Sequence, residues 1–248
     1  GAATPKGLEK AYTFYTSILE GKIKKVTSMK ATEATKILEN SFRDVNIAFI
    51  NEIAKSFDKI GIDTLEVIEG ASTKPFAFMP HYPGCGVGGH CIPVDPYYLI
   101  EKAKQVGFNH KFLKMAREVN ESMPRYAVEQ LTDALNEHKQ CLNGTTIGLL
   151  GLSYKANVGD VRESPALIIK QLLEEKGARV LVYDPYLPSD VQSLEALQEK
   201  TSVLLLATNH DDFQKLNLEK ITVFVDGRNM FAEYSLPKNC VYKGIGRT

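Results

Sequence analysis

The stretch that decides the fold is "TTIGLLGL", residues 145–152. Before it the chain reads as helices. At this point a short apolar run ends in a glycine, and the hydrophobic period changes from three-and-four to the pattern of a buried strand. "SPALIIKQLLEEKG" (164–177) follows as a helix with a Ser cap and Pro at its first turn. "ARVLVYDP" (178–185), "TSVLLLAT" (201–208) and "ITVFVDG" (221–227) then supply three more strands. Strands alternating with helical segments predict a parallel, Rossmann-like α/β domain, expected over residues 141–248.

Upstream of that run, residues 1–140 are expected to form an all-helical domain. "ATEATKILENSFRDVNIAFINEIAKSFDKIG" (31–61) places Ala34, Ile37, Leu38, Ser41, Val45, Ala48 and Ile53 at helical spacings, and Gly61 is a natural stop. A second helix is expected from Asp95-Pro96 to about Val106. A third is expected from about His110, with a kink or break at Pro124. At 248 residues the chain is long enough for two such domains, each with its own core.

Thirty basic and thirty acidic residues cancel, so no net field points to nucleic acid or to a membrane surface. An anionic ligand must be met by a few placed cations. The sequence holds no apolar run of about 18 residues and no signal-peptide core at its start, and reads as cytosolic. Its four cysteines, with no C-x-x-C, read as thiols rather than a disulfide framework.

One of those thiols stands in an unusual setting, "GCGVGGHCIPVDP" (84–96). Glycines before Cys91 let backbone approach a ligand, and the prolines and Asp95 pin the segment into the next helix. The arrangement suits a nucleophile. A metal site using His81, Cys85, His90 and Cys91 is a competing reading, although the spacing matches no common zinc signature and no metal is expected. An inert thiol in a structural glycine loop is the third. Lys36 and Asn40 share a helix face one turn apart. In the second half, "IGLLGLSYK" invites a dinucleotide reading, but Tyr154 and Lys155 stand where the last glycine of G-x-G-x-x-G would fall. Lys155 and Arg228 each follow a predicted strand, at the end where parallel sheets bind ligands, and so suggest a phosphate clamp.

"PGCGVGGHCIPVDPYYL", "LGLSYKANVGDVRESPAL" and "KILENSFRDVNIAFINE" resemble the active-site segment, the start of the C-terminal domain and the central helix of the UDP-glucose/GDP-mannose dehydrogenase superfamily. The three motifs stand in family order over nearly the whole chain. "TKPFAFMPHYPG" and HCIPVDP are most similar to the branch acting on UDP-N-acetylhexosamines. The resemblance implies a two-step NAD-dependent oxidation of a sugar C6 alcohol to a carboxylate, on UDP-N-acetylglucosamine or UDP-N-acetylmannosamine. Cys91 then carries the thiohemiacetal and thioester, Lys36 and Asn40 stabilise the C6 oxygen, and Asp95 assists water or proton transfer. Gly88 lies beside the sugar, and Tyr154, Lys155 and Arg228 hold the UDP. A helical layer joined to one α/β domain leaves apolar residues such as Ile47, Ile50 and Phe57 short of partners, so a homodimer through the long helices is expected. Cys85 stands where many relatives have proline, so a looser loop or an additional oxidisable thiol is expected. The family's N-terminal NAD-binding domain has no counterpart in these residues, and "GAATPKGLEKAYTFYTSIL" is similar to the segment that follows it. The chain alone is therefore expected to lack hydride chemistry. A non-catalytic UDP-sugar binder or scaffold is the alternative reading.

Overall fold

A computed structural model describes residues 1–247; Thr248, the last residue of the expected second domain, lies outside the described residues. Helices α1 (Pro5–Ile18), α2 (Met29–Ile60), α3 (Thr64–Ser72), α4 (Asp95–Lys104) and α5 (Phe112–Glu137) come first. Strands β1 (Thr146–Leu150), β2 (Arg179–Tyr183), β3 (Val203–Leu206), β4 (Val223–Asp226) and β5 (Val241–Gly244) follow, with α6 (Pro165–Glu175) and α7 (Leu194–Gln198) among them. The sheet is parallel throughout, in the order β2-β1-β3-β4-β5. The chain therefore reverses direction across the sheet beside β1. Loops leaving β1 and β3 diverge there and open a crevice at their carboxyl ends.

Local chemistry accounts for the element ends. Ser28 accepts the amide of Ala31 at the start of α2, and Gly61 ends it in the left-handed conformation at φ 73°. Ser164 caps α6 ahead of Pro165. α5 passes through Pro124 without the expected break. The proline frees the Asn120 carbonyl, and the glycine loop packs into the gap: a Cβ on Gly86 would lie 3.0 Å from that oxygen.

α2 departs from its expected face. Its buried residues are Asn40, Ser41, Asp44, Ala48, Ile50, Asn51 and Ala54. Leu38 and Ala34 stand in solvent. The helix therefore buries polar side chains that a hydrophobic-stripe reading assigns to the surface. α5 lies between α2 and the sheet, packing on α6, β4 and β5 as well. Its Met123, Ala127, Leu131 and Leu135 share one core with Ile147, Leu149, Leu205 and Val225. A second apolar layer, with Leu204, Phe213, Phe224 and Phe231, fills the other face of the sheet.

After β5 the chain returns to the helices. The Thr64 amide donates to the Gly246 carbonyl at 2.8 Å, and Gly246 N–H donates to Asp58 Oδ2 at 3.2 Å. Arg247 Nε donates to Asp63 at 2.8 Å, and the Tyr126 hydroxyl donates to Asp58. This tail and the shared helix α5 fix the helical layer against the sheet.

Candidate active site

The glycine loop is held from its first residue. Gly84 N–H donates to Asn51 Oδ1 at 3.0 Å, Asn51 donates to Asn120 Oδ1 at 2.9 Å, and Asn120 donates to Asp44 Oδ1 at 2.9 Å. Arg117 completes the chain, donating to Asp44 at 2.6 Å with both side chains buried. Every link is a buried polar pair, which ties the loop to α2 and α5 in one arrangement. Further along, Gly89 donates its amide to the Arg162 carbonyl at 2.9 Å. A Cβ on Gly88 would meet the Glu163 carbonyl oxygen at 2.7 Å, and one on Gly89 would meet the Tyr154 ring at 2.7 Å. The glycines thus serve close approach: backbone of the helical part presses directly on the loop after β1.

The two cysteines of the loop have opposite surroundings. Cys85 is fully buried, its thiol 3.6 Å from the Gly227 carbonyl, and a Cβ on Gly227 would collide with that sulfur. Burial pushes the Cys85 thiol up to about 11, with Arg228 opposing. Cys85 therefore packs the loop onto the end of β4, and the expectation of a loose loop or an oxidisable thiol fails at this residue. Cys91 is exposed. Its carbonyl accepts the amides of Val94 (3.2 Å) and Asp95 (2.8 Å), which winds the loop into α4 and puts Asp95 one turn beyond the thiol.

Asn40 and Asp95, 55 residues apart, meet at 2.5 Å between Nδ2 and Oδ2. Lys36 is not drawn into this group: its ammonium is exposed and lies 3.3 Å from Glu39 on its own helix. His81 is also separate, its ring against Phe42 and its Nδ1 3.0 Å from the Met79 carbonyl. Among the described residues, no three of His, Cys, Asp and Glu gather as metal ligands.

Between the two parts of the chain lies a cavity of about 390 Å³. The glycine loop forms one wall with Gly84, Gly86, Gly88 and Ile92, the neighbour of Cys91. Tyr154, Lys155, Asn209 and Arg228 form the other, each from the carboxyl end of β1, β3 or β4. Arg43 and Ile47 of α2 close it. Three cations and no carboxylate line this space, so its field favours an anion. Arg228 is half-buried and fixed, since its Nε donates to the Ala207 carbonyl at 2.8 Å and its amide to Asp226 at 3.1 Å. Burial pushes the Asp226 carboxyl up, while amides of Phe231 and Arg228 and the Tyr242 hydroxyl oppose.

The second domain does not offer the same sheet to a dinucleotide. A Cβ on Gly148 would run into Leu204 at 2.6 Å and one on Gly151 into Thr208 at 2.5 Å, so both glycines serve packing within the sheet layer. An acid at the end of the second strand could reach a ribose in such folds. Here Asp184 is buried, and its carboxylate accepts from Leu152 N, Ser153 N, Ser153 Oγ, Tyr186 N and His210 Nε2. Burial works against its ionisation, but the bonds from His210 and the amides overcome that and hold the carboxyl well below the usual range. With that acid committed internally, the residues present do not fit NAD at this crevice.

Residues 30–122 match the central domain of the UDP-glucose/GDP-mannose dehydrogenase family, and residues 148–233 match its UDP-binding domain. The chain belongs to this family. A UDP-N-acetyl-D-mannosamine dehydrogenase of Pyrococcus horikoshii is 37% identical over 253 residues, covering 100% of this chain and 59% of that protein. A UDP-N-acetyl-D-glucosamine 6-dehydrogenase of Pseudomonas aeruginosa is 36% identical, covering 88% of this chain and 53% of its own length. The solved structure of a Pyrococcus horikoshii UDP-D-ManNAc dehydrogenase superposes with a TM-score of 0.90 at 35% identity, over 100% of this chain and 59% of that one. The chain thus spans between half and three-fifths of the length of these family members.

Sequence reasoning missed Arg43, Tyr82 and Asn209 in the cavity wall. Arg43 follows Asn40 by three positions on α2, a spacing that shares its face, and Asn209 follows a predicted strand just as Lys155 and Arg228 do. Those two placements were the available signals.

Proposed function

We propose that these residues hold the substrate of a UDP-sugar 6-dehydrogenase, with UDP-N-acetylglucosamine or UDP-N-acetylmannosamine as the sugar nucleotide. The observation that carries this reading is the cation-lined cavity whose two walls are the Cys91 loop and the carboxyl edge of the second domain's sheet. A diphosphate between Lys155 and Arg228, with Tyr154 beside it, directs the sugar past Gly88 towards Cys91. Glycine at position 88 lets that wall close on Tyr154 and Glu163, which keeps the two sides of the cavity together.

At the sugar end the Cys91 sulfur adds to the C6 carbonyl carbon. A C–S bond forms, and the carbonyl oxygen takes up a proton. Asn40 donates to that oxygen, and Lys36, one turn earlier on α2, offsets its developing charge by turning away from Glu39. Asp95, already bonded to Asn40, holds the water that later cleaves the acyl–sulfur bond, releasing the carboxylate and restoring the thiol. Oxidation at C6 needs a hydride acceptor, NAD in this family reading, which the second domain's crevice does not fit. The described residues alone are expected to produce no NADH.

The division near residue 140, a cytoplasmic location and a homodimer belong to the same proposal. The residues offered to a second copy differ from those expected. Ile50 is buried within the chain, Ile47 lines the cavity and Phe57 is half-buried. Leu38, Phe42 and Phe49 of α2, with Phe14 and Ile18 of α1, are among the exposed apolar side chains instead. Light scattering at micromolar concentration should give twice the chain mass, and a monomer mass would refute the dimer.

A thermal-shift panel tests the ligand. UDP and UDP-N-acetylhexosamines at a hundred times Kd should add about 2.7 kcal/mol of stability, and NAD+ should add none. Stabilisation by NAD+ without UDP would overturn the assignment.

A further inference from the structure

The phosphate clamp draws its two cations from different strands, so something must set the distance between them. The segment Ala207–His210, which leaves β3 between the two loops, is in contact with both. The Ala207 carbonyl accepts Arg228 Nε at 2.8 Å, and the Thr208 hydroxyl donates to the Ser153 carbonyl. His210 Nδ1 accepts the Asn157 amide at 2.9 Å, just past Lys155. The imidazole is fully buried, its Nε2 lies 3.1 Å from Asp184 Oδ2, and Asp184 also accepts the amides of Leu152 and Ser153. Because Nδ1 accepts from an amide, Nε2 must carry the proton that goes to Asp184.

The loop 152–157 is therefore gripped at its first residues by Asp184 and at its last by His210, which holds the Asn157 backbone, and by Asp211, which exchanges two bonds with the Asn157 side chain. Asn157 itself sits at φ 61°, the left-handed conformation that asparagine adopts more readily than other side chains. We infer that His210, oriented by Asp184, is a positioning residue that sets the loop carrying Tyr154 and Lys155 at a fixed distance from Arg228. Asn209, between Thr208 and His210, lines the cavity at the same place. The inference rests on the reading of that cavity as a UDP site.

Two replacements of His210 separate its two bonds. His210→Asn keeps an acceptor near the Nδ1 position and loses Asp184; His210→Gln keeps a donor near Nε2 and loses Asn157. Both remove imidazole packing, so a purely structural role would weaken both alike. UDP affinity by calorimetry and amide exchange at Asn157 by NMR are the readouts, on the whole chain.

His210→Gln should weaken UDP binding and speed Asn157 exchange roughly tenfold each, the effect of one buried donor left unmade, while His210→Asn stays within roughly threefold of wild type. Equal losses in the two variants, or no loss in either, overturn the inference. If neither variant folds, Thr208→Val, which keeps the side-chain shape and removes the bond to Ser153, should still weaken UDP binding several-fold. An unchanged affinity in that variant counts against the bracket. Should wild type itself take up no UDP, the cavity reading falls, and Asn157 exchange alone then decides whether His210 holds the loop.

Discussion

Replacing Arg228 by Ala should cost more UDP affinity than replacing Lys155, although both are single cations at strand ends. Arg228 is half-buried, and its Nε and amide are already bonded to Ala207 and Asp226. Its terminal nitrogen sits against the glycine loop, 2.8 Å from where a Gly84 Cβ would be. A side chain anchored at Nε and packed against the glycine loop loses little further rotamer freedom when a phosphate arrives. A charge-assisted contact from such a group is worth about 1.5–3 kcal/mol, or roughly tenfold to 150-fold in Kd. Lys155 is exposed and makes no ion pair among the described residues. Its contact should resemble a surface pair, about 0.2–1 kcal/mol, at most about fivefold in Kd. Calorimetric titration with UDP at about 50 and 200 mM salt measures both effects, and the Lys155 share should fade with salt while the Arg228 share persists. A Lys155→Ala loss larger than that of Arg228→Ala, or an Arg228→Ala variant within about twofold of wild type, would refute the reasoning from burial.

Gly88→Ala should separate the loop from the second domain, because its Cβ would meet backbone at Glu163 and the Cβ of Tyr154, both at 2.7 Å. A stability loss of about 1–3 kcal/mol in urea and a weaker UDP titration are expected together. The Asp184 carboxyl is held low in the fold, so its stabilisation is complete above the unfolded pKa of about 3.9 and is lost as pH falls below that value. Asp184→Asn should therefore be less stable than wild type at neutral pH, and the gap should narrow between about pH 5 and 3 in urea midpoints. A gap independent of pH would contradict the assignment.

Much of the second domain was legible because strands buried on both faces read as continuous apolar runs, as in Val203–Leu206. β5 was not: Val241–Gly244 is a short, half-buried edge strand, and its "VYKG" carries no such run. α2 misled for the opposite reason. Its core face carries Asn40, Asp44 and Asn51, whose burial is offset by partners on α4 and α5 more than fifty residues away, and no local spacing reports such partners. Asn40 and Asp95 were each singled out, but their contact depends on how α4 docks. The glycines around Cys91 announced a close approach without saying to what. Tyr154 and Glu163 supply the answer from the other domain.

The central claim is that a UDP-sugar lies in the cavity with its C6 at Cys91. A UDP-N-acetylhexosamine 6-aldehyde labelled with carbon-13 at C6 tests it without any hydride step, since the thiol adds directly to the aldehyde. On mixing with wild-type chain, the C6 resonance should move to a thiohemiacetal position. It should stay with the free aldehyde and its hydrate in Cys91→Ala, which should still bind UDP. A resonance that does not move in wild type while UDP binds, or that moves equally in Cys91→Ala, would contradict the account.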